Sequence, residues 1–275
     1  MDKKTQKKQY FLDFVVYRIF SSKYHKDFVL EGSKSIDIKA RNQGIVYYIL
    51  PKDLDLNLKF IESKTKEIEQ ILHDIFAKDK EILIELNEDN FETENKFFFK
   101  IKKLNDRKVI SNLEVDIIID FDKYKIEDEN FEFEGENIKI QTYNIEKYIA
   151  NKILSLRKVT KVNKHLITEN SNLDLFRSDD EIKILIDIIW FTKTFQYNDK
   201  EVLRNLELMF DQSLFNKNLK QYLSYFVEYF YSKDIHSSIE RKIEKSQLNI
   251  NSFDYNKYLS SVFEGILKEQ NEKTT

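Results

Sequence analysis

The amino-acid sequence predicts an α/β (α+β) fold, a mixed β-sheet with flanking helices followed by a C-terminal helical bundle. The sheet is predicted by short runs rich in Ile, Val and Phe between residues 28 and 141, with apolar stripes at helical spacing before and among them. The bundle is predicted by the spacing beyond residue 143, which becomes almost entirely helical. That change of period divides the chain into residues 1–143 and 144–275.

The elements follow in order. Over residues 8–24, Phe11, Phe14, Val15 and Ile19 fall on one helical stripe with charges opposite. Phe28, Val29 and Leu30 read as a brief buried strand ending at Gly32 and Ser33, with a short helix over 35–41. Residues 45–50 are β-branched and aromatic and predict a strand that Pro51 interrupts. Leu54, Leu56 and Leu58 then alternate with Asp53, Asp55 and Asn57, so that period two puts both aspartates on one face. Residues 64–78 return to helix, carrying Ile68, Ile71, Leu72, Ile75 and Phe76 on one side. Extended runs at 81–86, 96–104 and 112–121, with a weaker one at 131–141, complete the sheet.

In the second half, Asn144 is placed to cap a helix carrying Tyr148, Ile149, Ile153 and Leu156. Ser178 and Glu181 have the spacing of a capping box before the stripe of Ile182, Leu185, Ile186 and Ile189. Further stripes cover 202–210, 219–230 and 258–267, which together make a bundle. The polar stretch 158–172 predicts a mobile loop, and 269–275 a frayed end.

Composition narrows the chemistry. With 275 residues, the chain can bury a real core. Cysteine is absent, which excludes disulfides, thiol nucleophiles and cysteine-bound zinc. The four histidines, His25, His73, His165 and His236, are scattered without ligand spacing. A formal net charge of -3 means that any contact with a polyanion must be regional. No run approaches the roughly 20 apolar residues that span a bilayer, so the expected protein is cytoplasmic and makes no membrane contact. Only four Gly and one Pro occur, and Gly32 and Pro51 both border the same stretch.

That stretch holds the candidate site. Two carboxylates at i and i+2 on a strand, Asp53 and Asp55, can bind Mg²⁺, a hard cation that takes oxygen ligands. The same spacing recurs at Asp120 and Asp122, and among 48 acidic residues such triplets also occur as solvated strand faces. Gly32 and Ser33 can offer backbone N–H groups, a hydroxyl and a helix N-terminus to a triphosphate, or can form a plain strand-to-helix turn. Asp116, a charge inside the apolar run Leu113 to Ile119, is the candidate third carboxylate; with Asp120 it can equally lie on a solvated face.

The order of these motifs resembles that of the AbiEii/AbiGii abortive-infection toxins of the nucleotidyltransferase superfamily. The resemblance runs through Phe28-Val29-Leu30-Glu31-Gly32-Ser33, Asp53-Leu54-Asp55, Val115-Asp116-Ile117, the helix from Ile149 through Ala150 and Lys152 to Arg157, and Arg177-Ser178-Asp179-Asp180. It covers roughly residues 10–190. Glu31 stands where the family usually has Lys, and Pro51 where Ser or Thr is common.

The resemblance implies a Mg²⁺-dependent nucleotidyltransferase toxin of a toxin-antitoxin or phage-defence pair. Asp53, Asp55 and Asp116 would be catalytic and hold two Mg²⁺ ions; Gly32, Ser33 and Lys152 would grip the triphosphate of an NTP. An RNA (tRNA among them) or protein would be the acceptor, and a cognate antitoxin the partner. Arg157, Arg177 and Asp180 fit the same cleft wall or ordinary helix ends. The alternative function is a non-catalytic module in which a degenerate transferase fold binds a nucleotide or partner.

Overall fold

The computed structural model describes residues 2–59, 65–87, 95–119, 123–160, 179–212, 219–232, 235–246 and 253–273. The first helix, α1 (Lys3–Phe20), is capped by Asp2, whose carboxylate accepts the Thr5 amide at 2.9 Å. It starts five residues before the predicted helix over 8–24, because the cap and not the stripe decides where a helix begins. Next come β1 (Phe28–Glu31), α2 (Gly32–Asn42), β2 (Leu54–Leu58), α3 (Thr65–Ile75), β3 (Ile82–Leu86), β4 (Lys96–Asn105), β5 (Lys108–Ile119), β6 (Ile126–Phe133) and β7 (Glu136–Tyr143). These belong to a first unit, Met1–Tyr143.

The seven strands form one mixed sheet in the order β3-β4-β5-β2-β1-β7-β6. The pairs β2/β5 and β1/β7 are parallel and the others antiparallel. Phe11, Leu12, Val15, Val16 and Ile19 of α1 join Leu54, Leu56 and Leu58 of β2, Leu113, Val115 and Ile117 of β5, and Phe28 and Leu30 of β1 in the core. The strand side chains between them, Glu31, Asp55, Asn57 and Asp116 among others, therefore stand on the opposite face.

A buried ionic cluster fastens α2. Lys34 is fully buried, its ammonium 2.5 Å from Asp13 of α1 and 2.8 Å from Asp37, and Asp37 also holds Arg41 at 2.7 Å. Lys39 reaches Glu129 of β6 at 2.8 Å. Charges this deep are tolerated only when paired, so the pairs fix where α2 lies against α1 and β6.

The predicted strand over residues 45–50 does not form. After α2, Gly44 turns with φ +72 and the Ile45 amide bonds back to Ala40, while Val46 is 88% exposed. Both edges of β2, the strand that follows them, are already taken by β1 and β5, so these residues cannot pair with it. The weak run at 131–141 is instead a hairpin, β6 and β7, turned by Glu134 and Gly135 at φ 52 and 84. Likewise β5 starts at Lys108, paired with β4 through Asp106 and Arg107, both at positive φ. Asp120, Phe121 and Asp122 lie outside the described residues.

The second unit, Asn144–Thr275, holds α4 (Ile145–Thr160), α5 (Asp179–Thr194), α6 (Asp199–Gln212), α7 (Leu219–Ser232), α8 (His236–Ser246) and α9 (Tyr255–Glu272). Helix α4 packs on α5 and α6, and α9 packs on α6 and α7. The aromatic stripe of α7 is core: Phe226 and Phe230 are buried against Phe263 of α9. Helix α8 has no counterpart among the predicted stripes, and α9 continues to Glu272 where a frayed end was expected. Most of the expected 158–172 loop, together with Arg177 and Ser178, lies outside the described residues. No helix among the described residues is long and apolar enough to cross a membrane.

Candidate active site

Three acidic residues meet in one row across the sheet. Antiparallel pairing sets Glu31 opposite Asp55, and parallel pairing sets Asp55 beside Asp116, so β1, β2 and β5 each contribute one carboxylate to the face away from the core. Asp53 lies two residues before Asp55, exposed, just ahead of β2. The register thus sets Asp55 and Asp116 side by side, with Asp53 two residues ahead of Asp55.

Gly32 joins them. It is the first residue of α2 with φ +66, a left-handed conformation that favours glycine. A Cβ at this position would stand 1.8 Å from Asp55 Oδ2 and 2.8 Å from its Cγ. The Asp55 carboxylate therefore lies directly on the glycine backbone, at the N-terminus of α2. Ser33 follows, half-buried in the first turn of the helix. The start of a helix carries partial positive charge and free amides, which suits an anion.

Two further side chains complete the face. Lys96 on β4 puts its ammonium 3.3 Å from Asp116 Oδ2 and lies over the Phe98 ring at 4.6 Å. Asn57, two residues beyond Asp55, donates to Glu31 at 3.0 Å and to the Tyr143 hydroxyl at 2.6 Å. Because Asn57 pairs with Val29, this bond draws the Glu31 side chain back along β1, away from Gly32. Lys96 and Asn57 were missed because nothing in their local spacing marks them. Only the β4/β5 and β1/β2 registers carry them to the carboxylates.

The charges interact strongly. Burial, then the neighbouring Asp53 and Asp116, push Asp55 up to about 6, with Lys96 pulling the other way. Asp116 is also raised, chiefly by burial and against the opposing hydrogen bond and charge of Lys96. A raised carboxylate weakens the fold once it ionises: its folded form holds a proton that the unfolded chain has already lost, so stability falls as pH climbs from about 4 to 6. Asp55→Asn should therefore stabilise the protein by about 1–2 kcal/mol at pH 7.5, discounted for partial exposure, and by almost nothing at pH 4. Urea unfolding at the two pH values checks this; equal effects at both would refute the electrostatic account.

A divalent cation would relieve the same repulsion. Among the described residues no three or more His, Cys, Asp or Glu are gathered tightly enough to form an all-protein cage. Mg²⁺ does not ask for one, since it is usually held by one or two carboxylates plus waters and substrate phosphates. Adjacent Asp55 and Asp116, with Asp53 close in sequence, fit that donor set.

No family model and no curated protein matches the sequence. Among solved structures the chain is similar to MenT4, a nucleotidyltransferase toxin from Mycobacterium tuberculosis, with a TM-score of 0.52 at 10% identity over 96% of this chain and 92% of that one. The fold is nucleotidyltransferase-like. At this identity the likeness concerns the arrangement of elements, and the chemistry rests on the residues of this chain. In the nucleotidyltransferase-like sheet the acidic row sits on the central strands β1, β2 and β5.

Lys152 belongs to the second unit. Its ammonium lies 2.6 Å from Asp187 Oδ2 on α5, and Asp187 is buried. Burial lowers Lys152, helped by Lys183, and raises Asp187. Arg157 and Asp180 lie on α4 and α5.

Proposed function

We propose that this protein is a Mg²⁺-dependent nucleotidyltransferase of the AbiEii/AbiGii kind, a cytoplasmic toxin of a toxin-antitoxin or phage-defence pair, with a cognate antitoxin as its partner. The observation that carries the reading is the seat of the Asp55 carboxylate on Gly32, at the N-terminus of α2. Gly32 and Ser33 would receive the phosphates of an NTP. Asp53, Asp55 and Asp116 would hold two Mg²⁺ ions, which when bound neutralise the triphosphate and the leaving pyrophosphate.

In the reaction, a hydroxyl oxygen of an RNA or protein acceptor bonds to the α-phosphorus and the bond to pyrophosphate breaks. The hydroxyl proton passes to a carboxylate of the row. Asp116 would be the carboxylate that activates this hydroxyl, as the resemblance implies. Lys96, beside Asp116, would steady the negative charge that gathers there. The Glu31 carboxylate, where a Lys is usual, is engaged by Asn57.

The test is to incubate the protein with Mg²⁺, total RNA or total protein, and each NTP labelled at the α- or the γ-phosphate. Transfer of α-label with release of pyrophosphate is expected, and chelation should stop it. Label transferred from the γ-position would mean a kinase instead. No label with any NTP, alongside a melting shift that needs NTP and Asp55, would leave the non-catalytic binding module.

A further inference from the structure

The start of α1 carries charge of the wrong sign for a helix. Lys3 and Lys4 stand in its first turn, and no acidic residue follows the Asp2 cap there, although the N-terminal end of a helix dipole disfavours cations. Helix stability therefore does not account for these lysines. With Lys7, Lys8 and Lys52 they line a groove of about 740 Å³ between this end of α1, the segment before β2 and the first part of β5. Lys3, Lys4, Lys7 and Lys52 are exposed, and none of the five is in an ion pair among the described residues. In a chain of net charge -3 the groove is thus a local positive field.

The rest of the lining is of a different kind. Ile110 and Leu50 present apolar side chains that are 56% and 41% exposed. Asn112 adds main-chain groups. The Ile119 amide bonds to Asn95 on the β4 side, so the alternation of an antiparallel ladder turns the N–H and C=O of Asn112 to the other side of β5. On that side β2 pairs only with Val115–Ile119, and among the described residues no strand takes up Asn112.

Cationic rim, apolar side chains and a free stretch of strand edge together fit an extended peptide. Its carboxylates would meet the lysines, its alternate apolar side chains Ile110 and Leu50, and its main chain the edge of β5. Single-stranded nucleic acid would use the lysines alone, because its bases stack on aromatic rings and none of the described lining residues is aromatic. We propose that this groove is the docking site for an acidic, amphipathic segment of a partner protein. It is separate from the carboxylate row, since α1 packs on the core face of the sheet and Asp55 and Asp116 stand on the opposite one, so the docking does not depend on the function proposed above.

Fluorescence anisotropy of a labelled peptide of about 12 residues, alternating Glu and Val, reads the docking. Replacing Lys3, Lys4, Lys7 and Lys52 together by Gln should weaken its binding about tenfold. Replacing the same four by Glu should abolish it and create binding of the matching Lys-Val peptide, without lowering the melting temperature, because acidic residues suit the first turn of a helix. Ile110→Ser should weaken the Glu-Val peptide while leaving polyglutamate unaffected. Gln at Lys139, Lys200, Lys257 and Lys268, exposed and outside the groove, should change affinity less than about twofold. The proposal is overturned if the Glu-Val peptide does not bind, if polyglutamate binds as tightly, if the two sets of Gln variants lose affinity equally, or if the Glu variant gains nothing for the Lys-Val peptide. An oligouridylate that displaces the labelled peptide better than unlabelled peptide does would make this a nucleic-acid surface instead. An oligomer in sedimentation velocity that the four Gln substitutions dissociate would assign the groove to a second copy of the chain, and overturn the proposal as well.

Discussion

Gly32→Ala is expected to cost about 2–4 kcal/mol of stability and to abolish nucleotide transfer. A methyl group there meets Asp55 Oδ2 at 1.8 Å, and the residue must also hold φ +66. The carboxylate is the group that would have to move, so the same substitution that strains the fold takes Asp55 out of the acidic row. A double-mutant cycle separates the two effects. In an Asp55→Ala background the nearest remaining contact is the Asp55 Cβ, at 3.1 Å, and Gly32→Ala should then cost only the backbone strain, about 1–2 kcal/mol. Strict additivity of the two substitutions, measured by urea unfolding, would show that the contact is not shared.

Asp55→Asn and Asp116→Asn are each expected to lower transfer by about a thousandfold, the loss of several kcal/mol of charge stabilisation, while leaving the fold intact. The variants should also separate in cation binding. Mg²⁺ with NTP should raise the melting temperature of the unaltered protein and leave Asp55→Asn unmoved, because neutral amides are poor ligands for a hard cation. Lys96→Met should move metal binding the other way. With the ammonium 3.3 Å from Asp116 removed, a competing cation is gone and Mg²⁺ should bind more tightly without nucleotide. Isothermal titration with Mg²⁺ alone reads this, and unchanged affinity would show that Lys96 does not compete at Asp116.

Sequence alone determined the elements whose period is strong and the residues whose chemistry is odd for their place. Leu54, Leu56 and Leu58 alternate with Asp53, Asp55 and Asn57, and no register choice could bury the leucines without putting the acids on the other face. Asp116 stood out because it interrupts an apolar run. The residues 45–50 misled for a related reason: β-branched and aromatic composition describes a surface that fits a sheet, but a strand also needs a free edge, and β1 and β5 had taken both edges of β2.

Only the tertiary structure decided which polar groups meet. Glu31, Asp55 and Asp116 are separated by 24 and 61 residues, and it is hydrogen-bond register, a property of three strands together, that sets them side by side. The same holds for Lys96 at Asp116 and for Asn57 between Glu31 and Tyr143. Gly32 shows the division most sharply. Its missing Cβ was legible as permission for a close approach, but that the approaching group is the Asp55 carboxylate follows from α2 being pinned by the buried Lys34 pairs while β1 and β2 hold their antiparallel register.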